Sequence, residues 1–149
     1  MKTPPNNWPQ SLALMHERFG VRAHVRTMSP AVLMEYLNFR ISMIQEELDE
    51  CRAAVAAGDA DGVVDALVDG MVFALGTLDT FEVDAQRAWD CVLAANMSKL
   101  PGSKPERPNR FGFPDMIKPH GWTAPSHVGN TGLLDTALSA RALVLGQNK

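Results

Sequence analysis

Residues 63–78, VVDALVDGMVFALGTL, form the longest apolar stretch of this 149-residue chain, and they carry two aspartates four residues apart, Asp65 and Asp69. The stretch is charged and shorter than the ~20 residues that cross a bilayer. We therefore expect a buried helix rather than a membrane span. On a helix the two aspartates lie one turn apart on the same face, which Gly76 continues. Charge inside such an apolar segment suggests a function.

The composition around this stretch is that of one soluble domain. Hydrophobic residues make up 46% of the chain and charged residues 21%, and the net charge is -3. The net negative charge and the scattered Lys and Arg residues argue against binding to nucleic acid. Cys51 and Cys91 form no disulfide framework, and no export signal or membrane span is evident, so we expect a cytoplasmic protein that binds no membrane.

Two long helices are predicted at the centre of the chain. Ser29 and Pro30 are typical of a helix start and Gly58 of a helix end, which predicts a first helix over 30–57. GDADG (58–62) separates it from a second helix at about 61–80, with Asp59 or Asp61 as the N-cap. In the first helix one apolar stripe follows spacings of three and four residues, through Leu33, Leu37, Ile41, Ile44, Leu48, Cys51 and Val55.

The flanking segments predict shorter elements and no strand. A third helix should begin near Asp84, and shorter ones are expected at 11–19 and 133–145. Residues 101–132 hold six prolines and five glycines in 32 residues, which predicts an extended arm. The expected fold is all-α, a helical bundle of about four to five helices with an extended Pro/Gly-rich C-terminal arm. We treat residues 1–149 as a single domain, with the bundle core at about 11–100 and the arm and short helix at about 101–149.

Acidic residues concentrate on the two long helices. Glu46, Glu47 and Glu50 lie along one side of the first helix, with Glu47 bordering the apolar stripe. Burying unpaired carboxylates costs several kcal/mol, and the only basic residue between Glu46 and Asp84 is Arg52. A cluster of hard oxygen ligands favours Mg²⁺ or Mn²⁺. Two alternatives stay open: a solvated acidic face, or pairing with Arg40, with Arg52 or with a lysine of a second subunit.

These motifs resemble a known family. EELDE (46–50) matches E-E-x-x-E, the acidic pair follows in the next helix, and GTLDTFEVDAQRAWDCVLAANMSKL (76–100) ends in Asn-Met-Ser-Lys. The series is similar to the all-α nucleoside triphosphate pyrophosphohydrolases, the MazG-like group, and within it to the branch near phosphoribosyl-ATP pyrophosphohydrolase. The resemblance covers about residues 30–125, including FR at 39–40 and KPHGW at 118–122. The family's second motif is E-x-x-D, whereas this chain has Ala66 at the glutamate position and offers Asp65 instead.

The resemblance implies a metal-dependent hydrolase. Its members hydrolyse a nucleoside triphosphate, here a ribo- or deoxyribonucleotide, to the monophosphate and pyrophosphate, with Mg²⁺ (Mn²⁺ possible) as cofactor. The implied metal ligands are Glu47, Glu50 and Asp69, with Asp65 as a further one. Glu46 would orient or deprotonate the attacking water, and Glu46 and Glu47 could exchange these roles.

Three further residues are candidate substrate contacts. Lys99 is a candidate for a phosphate contact, and Asn96 shares its helix face and could bind phosphate or sugar. The alternative for Lys99 is pairing with the helix dipole. Arg40 could reach the polyphosphate or bridge to an acid of another helix.

Two alternative functions stay open, and we expect the chain to form a homo-oligomer. The alternatives are phosphoribosyl-ATP pyrophosphohydrolase and a non-catalytic helical module that binds nucleotide or metal. Because residues 63–78 are apolar on nearly all sides, we expect a homodimer or homotetramer.

Overall fold

Helices dominate the computed structural model, which describes residues 7–142. Within this range it contains six helices and two short strands, in the order α1 (Trp8–Arg18), α2 (Val21–Val25), α3 (Pro30–Ala57), α4 (Ala60–Thr80), α5 (Ala85–Met97), β1 (Leu100–Gly102), β2 (Asp115–Ile117) and α6 (Leu134–Ser139). The all-α prediction is confirmed.

The ends of the two long helices follow from local capping. The Ser29 side chain accepts from the Val32 N–H at the start of α3, and Gly58 ends it in the left-handed region at φ +69°. Asp59, one of the two predicted caps, accepts from the Gly62 N–H at 3.0 Å and starts α4.

The shorter helices agree less closely with the predictions. α2 was not predicted, and Gly20, at φ +67°, separates it from α1. α6 occupies only the first part of the predicted 133–145 helix, and the positions after 142 lie outside the described residues.

α3 and α4 form an antiparallel hairpin. As α3 runs forward, its contacts on α4 run backward: Tyr36 lies against Thr80, Arg40 against Thr77, Glu47 against Gly70 and Ala54 against Gly62. The tight connection at Gly58 and Asp59 imposes this register. It places the glutamate motif of α3 opposite the aspartates of α4.

An apolar cluster closes the end of the hairpin at Phe81. Phe81 is fully buried and packs with Leu33, Val25, Val83 and Ala137. The chain returns to this cluster through Gly132, where a Cβ atom would lie 2.0 Å from the Phe81 carbonyl oxygen. Only glycine fits this approach, which lets the Leu133 N–H donate to that oxygen at 2.7 Å.

The predicted apolar stripe of α3 is only partly covered. Leu33 is 3% exposed, but Ile41, Leu48 and Val55 are 54%, 46% and 65% exposed. The predicted stripe is therefore covered at Leu33 and open to solvent at Ile41, Leu48 and Val55. In the described part of the chain, α4 is the one long helix packed on α3, and the contacts between them run through Arg40 and Glu47 instead.

The chain forms two compact units. The first contains residues up to Ala85 and those from Thr131 onward, and the second is Gln86–Asn130. The second unit contains α5 and the antiparallel pair β1 and β2, in which Leu100 lies opposite Ile117. The sequence analysis expected no strand, because three-residue strands are too short to show alternation.

Among residues 7–142, no helix has the length and apolarity that a membrane span requires.

Candidate functional site

Glu47 is the innermost acid of the α3–α4 hairpin. Its residue surface is 8% exposed, although the sequence placed it only at the border of the apolar stripe. It faces Gly70 of α4, and its Cβ atom would lie 3.8 Å from a Cβ added there. Gly70 therefore lies directly opposite the stem of the Glu47 side chain, at ordinary contact distance.

The other predicted acids surround Glu47. Burial raises the pKa of the Glu47 carboxyl above its ordinary value, and the charges of Glu50, Asp69, Glu46 and Asp65 raise this pKa further, in that order. Asp69 is half-buried, and the remaining three are exposed. The register of the hairpin therefore brings the other four carboxylates close enough to repel the Glu47 carboxylate; these five acids are called the acid cluster below.

The acid cluster has no cationic partner in the part of the chain that the structure describes. Arg52 pairs with Asp49 at 2.8 Å, on the exposed side of α3. Over residues 7–142, none of the five carboxylates forms an ion pair. The predicted alternative of pairing with Arg52 is therefore not found in this range.

Arg40 binds α4 rather than an acid. Its Nε donates to Thr77 Oγ1 at 3.1 Å and its Nη2 donates to the Phe73 carbonyl oxygen at 2.9 Å. The guanidinium also lies 5.0 Å from the centre of the Phe73 ring, and burial lowers the pKa of Arg40. These contacts hold α3 against α4, and the predicted contact with substrate stays a prediction.

The chemistry of the acid cluster fits a divalent cation such as Mg²⁺. Five carboxylates supply hard oxygen ligands, and a cation would relieve the repulsion around Glu47. Within residues 7–142, however, no three Asp, Glu, His or Cys side chains are arranged as a ready metal site. Binding would require the exposed carboxylates to turn toward Glu47, which surface side chains can do by changing rotamer.

A buried polar network lies nearer the Phe81 end of α4 and was missed by the sequence analysis. Asp79 accepts from His16 Nδ1 at 2.7 Å and pairs with Arg22 Nη2 at 3.2 Å. The network ties α1 and α2 to α4, so His16 has a structural role. The missed signal is Asp79, the fourth and last aspartate on α4, whose partners are distant in sequence.

The remaining predicted contacts lie in the second unit. Lys99 Nζ donates to Asn96 Oδ1 at 2.9 Å. The prediction that the two residues share a helix face is wrong, because α5 ends at Met97 and Lys99 lies beyond it. The same ammonium lies 5.3 Å from the centre of the Trp122 ring, and Lys118 Nζ lies 4.7 Å from it. Trp122 Nε1 donates to the Ala95 carbonyl oxygen at 2.9 Å. The sequence analysis did not group Lys118 and Trp122 with Lys99, because these two residues belong to the arm.

Comparison with known proteins gives one match. The family model described as phosphoribosyl-ATP pyrophosphohydrolase matches residues 15–96, more than half of the chain, and this segment includes the whole acid cluster. No curated protein and no solved structure matches the chain. The resemblance seen in the sequence motifs is thus confirmed, and the chain belongs to the phosphoribosyl-ATP pyrophosphohydrolase family of the MazG-like all-α nucleoside triphosphate pyrophosphohydrolase superfamily.

Proposed function

We propose that this chain hydrolyses the triphosphate group of a nucleotide to the monophosphate and pyrophosphate, with Mg²⁺ as cofactor. Family membership implies a pyrophosphohydrolase that acts on a phosphoanhydride. The observation that carries the metal dependence is the acid cluster, whose five carboxylates make no ion pair within residues 7–142. A polyphosphate and a carboxylate cluster repel each other, so a divalent cation must lie between them.

The acids divide into two roles in this proposal. Glu47, Glu50 and Asp69, with Asp65, would hold Mg²⁺, which when bound neutralises the polyphosphate and activates water. Glu46 would orient the attacking water and take its proton, or exchange this role with Glu47.

The departure from the E-x-x-D motif has a structural counterpart. Ala66, at the family's glutamate position, is buried, whereas Asp65 is exposed one residue earlier. Asp65 would therefore help to hold a metal less strongly than the half-buried Asp69, and its contribution should be smaller.

Two substrates are candidates. Phosphoribosyl-ATP is the substrate that the family description names. A free ribo- or deoxyribonucleoside triphosphate is the second, because the family match ends at Asn96 and leaves Lys99 and the arm outside it. Both candidates carry the same triphosphate, for which Asn96 and Lys99 are proposed contacts in the second unit.

The test is pyrophosphate release from phosphoribosyl-ATP and from a panel of nucleoside triphosphates, with Mg²⁺, with Mn²⁺ or with EDTA. Glu47→Gln and Asp69→Asn should abolish turnover. Asp49→Asn is the matched control, because Asp49 is an exposed acid of the same motif that already pairs with Arg52. Metal binding without turnover of any substrate would favour the non-catalytic module instead.

We also propose that the chain assembles as a homodimer or homotetramer. On α3 the exposed residues Ile41, Leu48 and Val55 recur every seven positions, and on α4 Leu67 and Val68 are about half exposed. A repeat of seven along a helix is typical of helix pairing. Light scattering at micromolar concentration should give at least twice the mass of one chain, and a monomer would contradict the proposal.

A further inference from the structure

Two lysine ammonium groups share one aromatic ring in the second unit. Lys99 Nζ and Lys118 Nζ lie 5.3 and 4.7 Å from the centre of the Trp122 ring. The two charges are therefore no more than about 10 Å apart, a separation comparable to the Debye length at physiological ionic strength. They repel each other at this distance.

Neither ammonium is neutralised in the described part of the chain. Over residues 7–142, Lys99 and Lys118 form no ion pair, and Lys99 donates only to the neutral amide oxygen of Asn96. Two acids of this unit have other donors: Asp115 accepts from the Lys104 N–H, and Asp90 accepts from Gln86. The two lysines thus keep free donors for an anion.

Trp122 is anchored so that it positions both lysines. Its ring Nε1–H donates to the Ala95 carbonyl oxygen at 2.9 Å, and its backbone N–H donates to the Pro119 carbonyl oxygen at 3.0 Å. The ring attracts both ammonium groups through its negative π face.

The charge of the unit favours an anionic ligand. Residues 86–130 contain six Lys and Arg residues but three Asp and Glu residues, whereas the whole chain carries a net charge of -3. The basic excess is therefore concentrated in the unit that holds the paired lysines. A polyanion is attracted to such a region at long range.

We infer that Lys99, Lys118 and Trp122 form a clamp for a pyrophosphate group, in which the lysines bind phosphate oxygens and Trp122 is a positioning residue. Pyrophosphate carries several charges over a length of a few ångströms, so one ligand contacts two neighbouring ammonium groups. The choice of pyrophosphate over another phosphate anion rests on the proposed function. The clamp itself rests on the geometry of the second unit.

The test measures binding of inorganic pyrophosphate to the full chain, in EDTA and without nucleotide. Trp8 and Trp89, which are 67% and 64% exposed, are replaced by Phe so that fluorescence reports on Trp122 alone. Pyrophosphate should change this fluorescence saturably. Lys118→Gln should raise the Kd about tenfold or more, and Lys118→Arg should restore binding.

Controls separate the clamp from general attraction and from catalysis. Lys104→Gln removes one charge from the same unit away from the ring and should change the Kd less than about twofold. An equal effect of Lys104→Gln and Lys118→Gln, tighter binding of nucleoside monophosphate than of pyrophosphate, or no binding would each overturn the clamp. Glu47→Gln should keep pyrophosphate binding while losing hydrolysis. If the wild type binds pyrophosphate but hydrolyses nothing, the proposed function fails and the clamp stands.

Discussion

Two glycines of α4 allow a direct test of how the hairpin is held together. At Gly76 an added Cβ would lie 2.6 Å from Arg40 Nη2, and 3.2 and 3.4 Å from the His16 ring atoms Cε1 and Nε2. At Gly70 the nearest atom would be the Glu47 Cβ, at 3.8 Å, an ordinary contact. Alanine is therefore accommodated at Gly70 but displaces Arg40 at Gly76.

The two substitutions should have opposite effects on the free energy of unfolding. Alanine in place of glycine inside a helix stabilises it by about 0.5–1 kcal/mol, and Gly70→Ala should show this gain. At Gly76 the methyl group pushes Arg40 Nη2 from the Phe73 carbonyl oxygen, a charged hydrogen bond that contributes about 1.5–3 kcal/mol. Gly76→Ala should therefore destabilise the protein by about 1–2 kcal/mol and lower the Tm by about 2–8 °C.

Urea and thermal denaturation of the two variants beside the wild type measure these values. Gly70→Ala should also retain hydrolysis, because its contact with Glu47 leaves the acid in place. If Gly76→Ala stabilised the protein as much as Gly70→Ala, Arg40 and His16 would not be packed against Gly76 and the reasoning would be refuted. A loss of stability in both variants would instead show that α3 and α4 pack too closely at Glu47 for a methyl group at Gly70.

Three further predictions concern the charged groups of the first unit. Without metal, Glu47→Gln should be more stable than the wild type at neutral pH but not at pH 4. The raised pKa of Glu47 favours the folded wild type only at low pH, and this contribution is lost as the pH rises through the folded pKa. Equal differences in the free energy of unfolding in urea at both pH values would contradict this. Mg²⁺ at tenfold its Kd should stabilise the wild type by about 1.4 kcal/mol and Asp69→Asn far less, as thermal shifts would measure. Asp79→Asn should lose about 1–3 kcal/mol in urea while keeping the Mg²⁺ response, since Asp79 binds His16 and Arg22 rather than metal.

The two long helices could be predicted because their signals are local. Ser29 and Pro30 start α3, and Gly58 and Asp59 end it and start α4, all within a few residues of the boundary. α2 and the two strands have five and three residues, and such short elements depend on tertiary contacts rather than on periodicity.

The candidate site was predictable as a set of residues but not as a geometry. The acids stand out in the sequence because a charged group in an apolar helix needs a partner. The sequence analysis placed Glu47 at the border of the apolar stripe, whereas the structure buries it. The reason is that the register of α3 against α4 decides which acid is innermost. Lys99 and Asn96 lie three residues apart in the sequence and were predicted together, whereas Lys118 comes from the arm.

Stability and function separate along the α3–α4 hairpin. The end at Phe81 carries the apolar cluster and the Asp79 network, which fix α4 against α1, α2 and α6. The acid cluster lies closer to the Gly58 turn, where the neighbouring carboxylates repel the buried Glu47 carboxylate. A metal ion there would act on the weaker end of a hairpin that is already closed at the other end. The hairpin can therefore tolerate substitutions of the acids and still fold, which makes their loss of hydrolysis interpretable as chemistry.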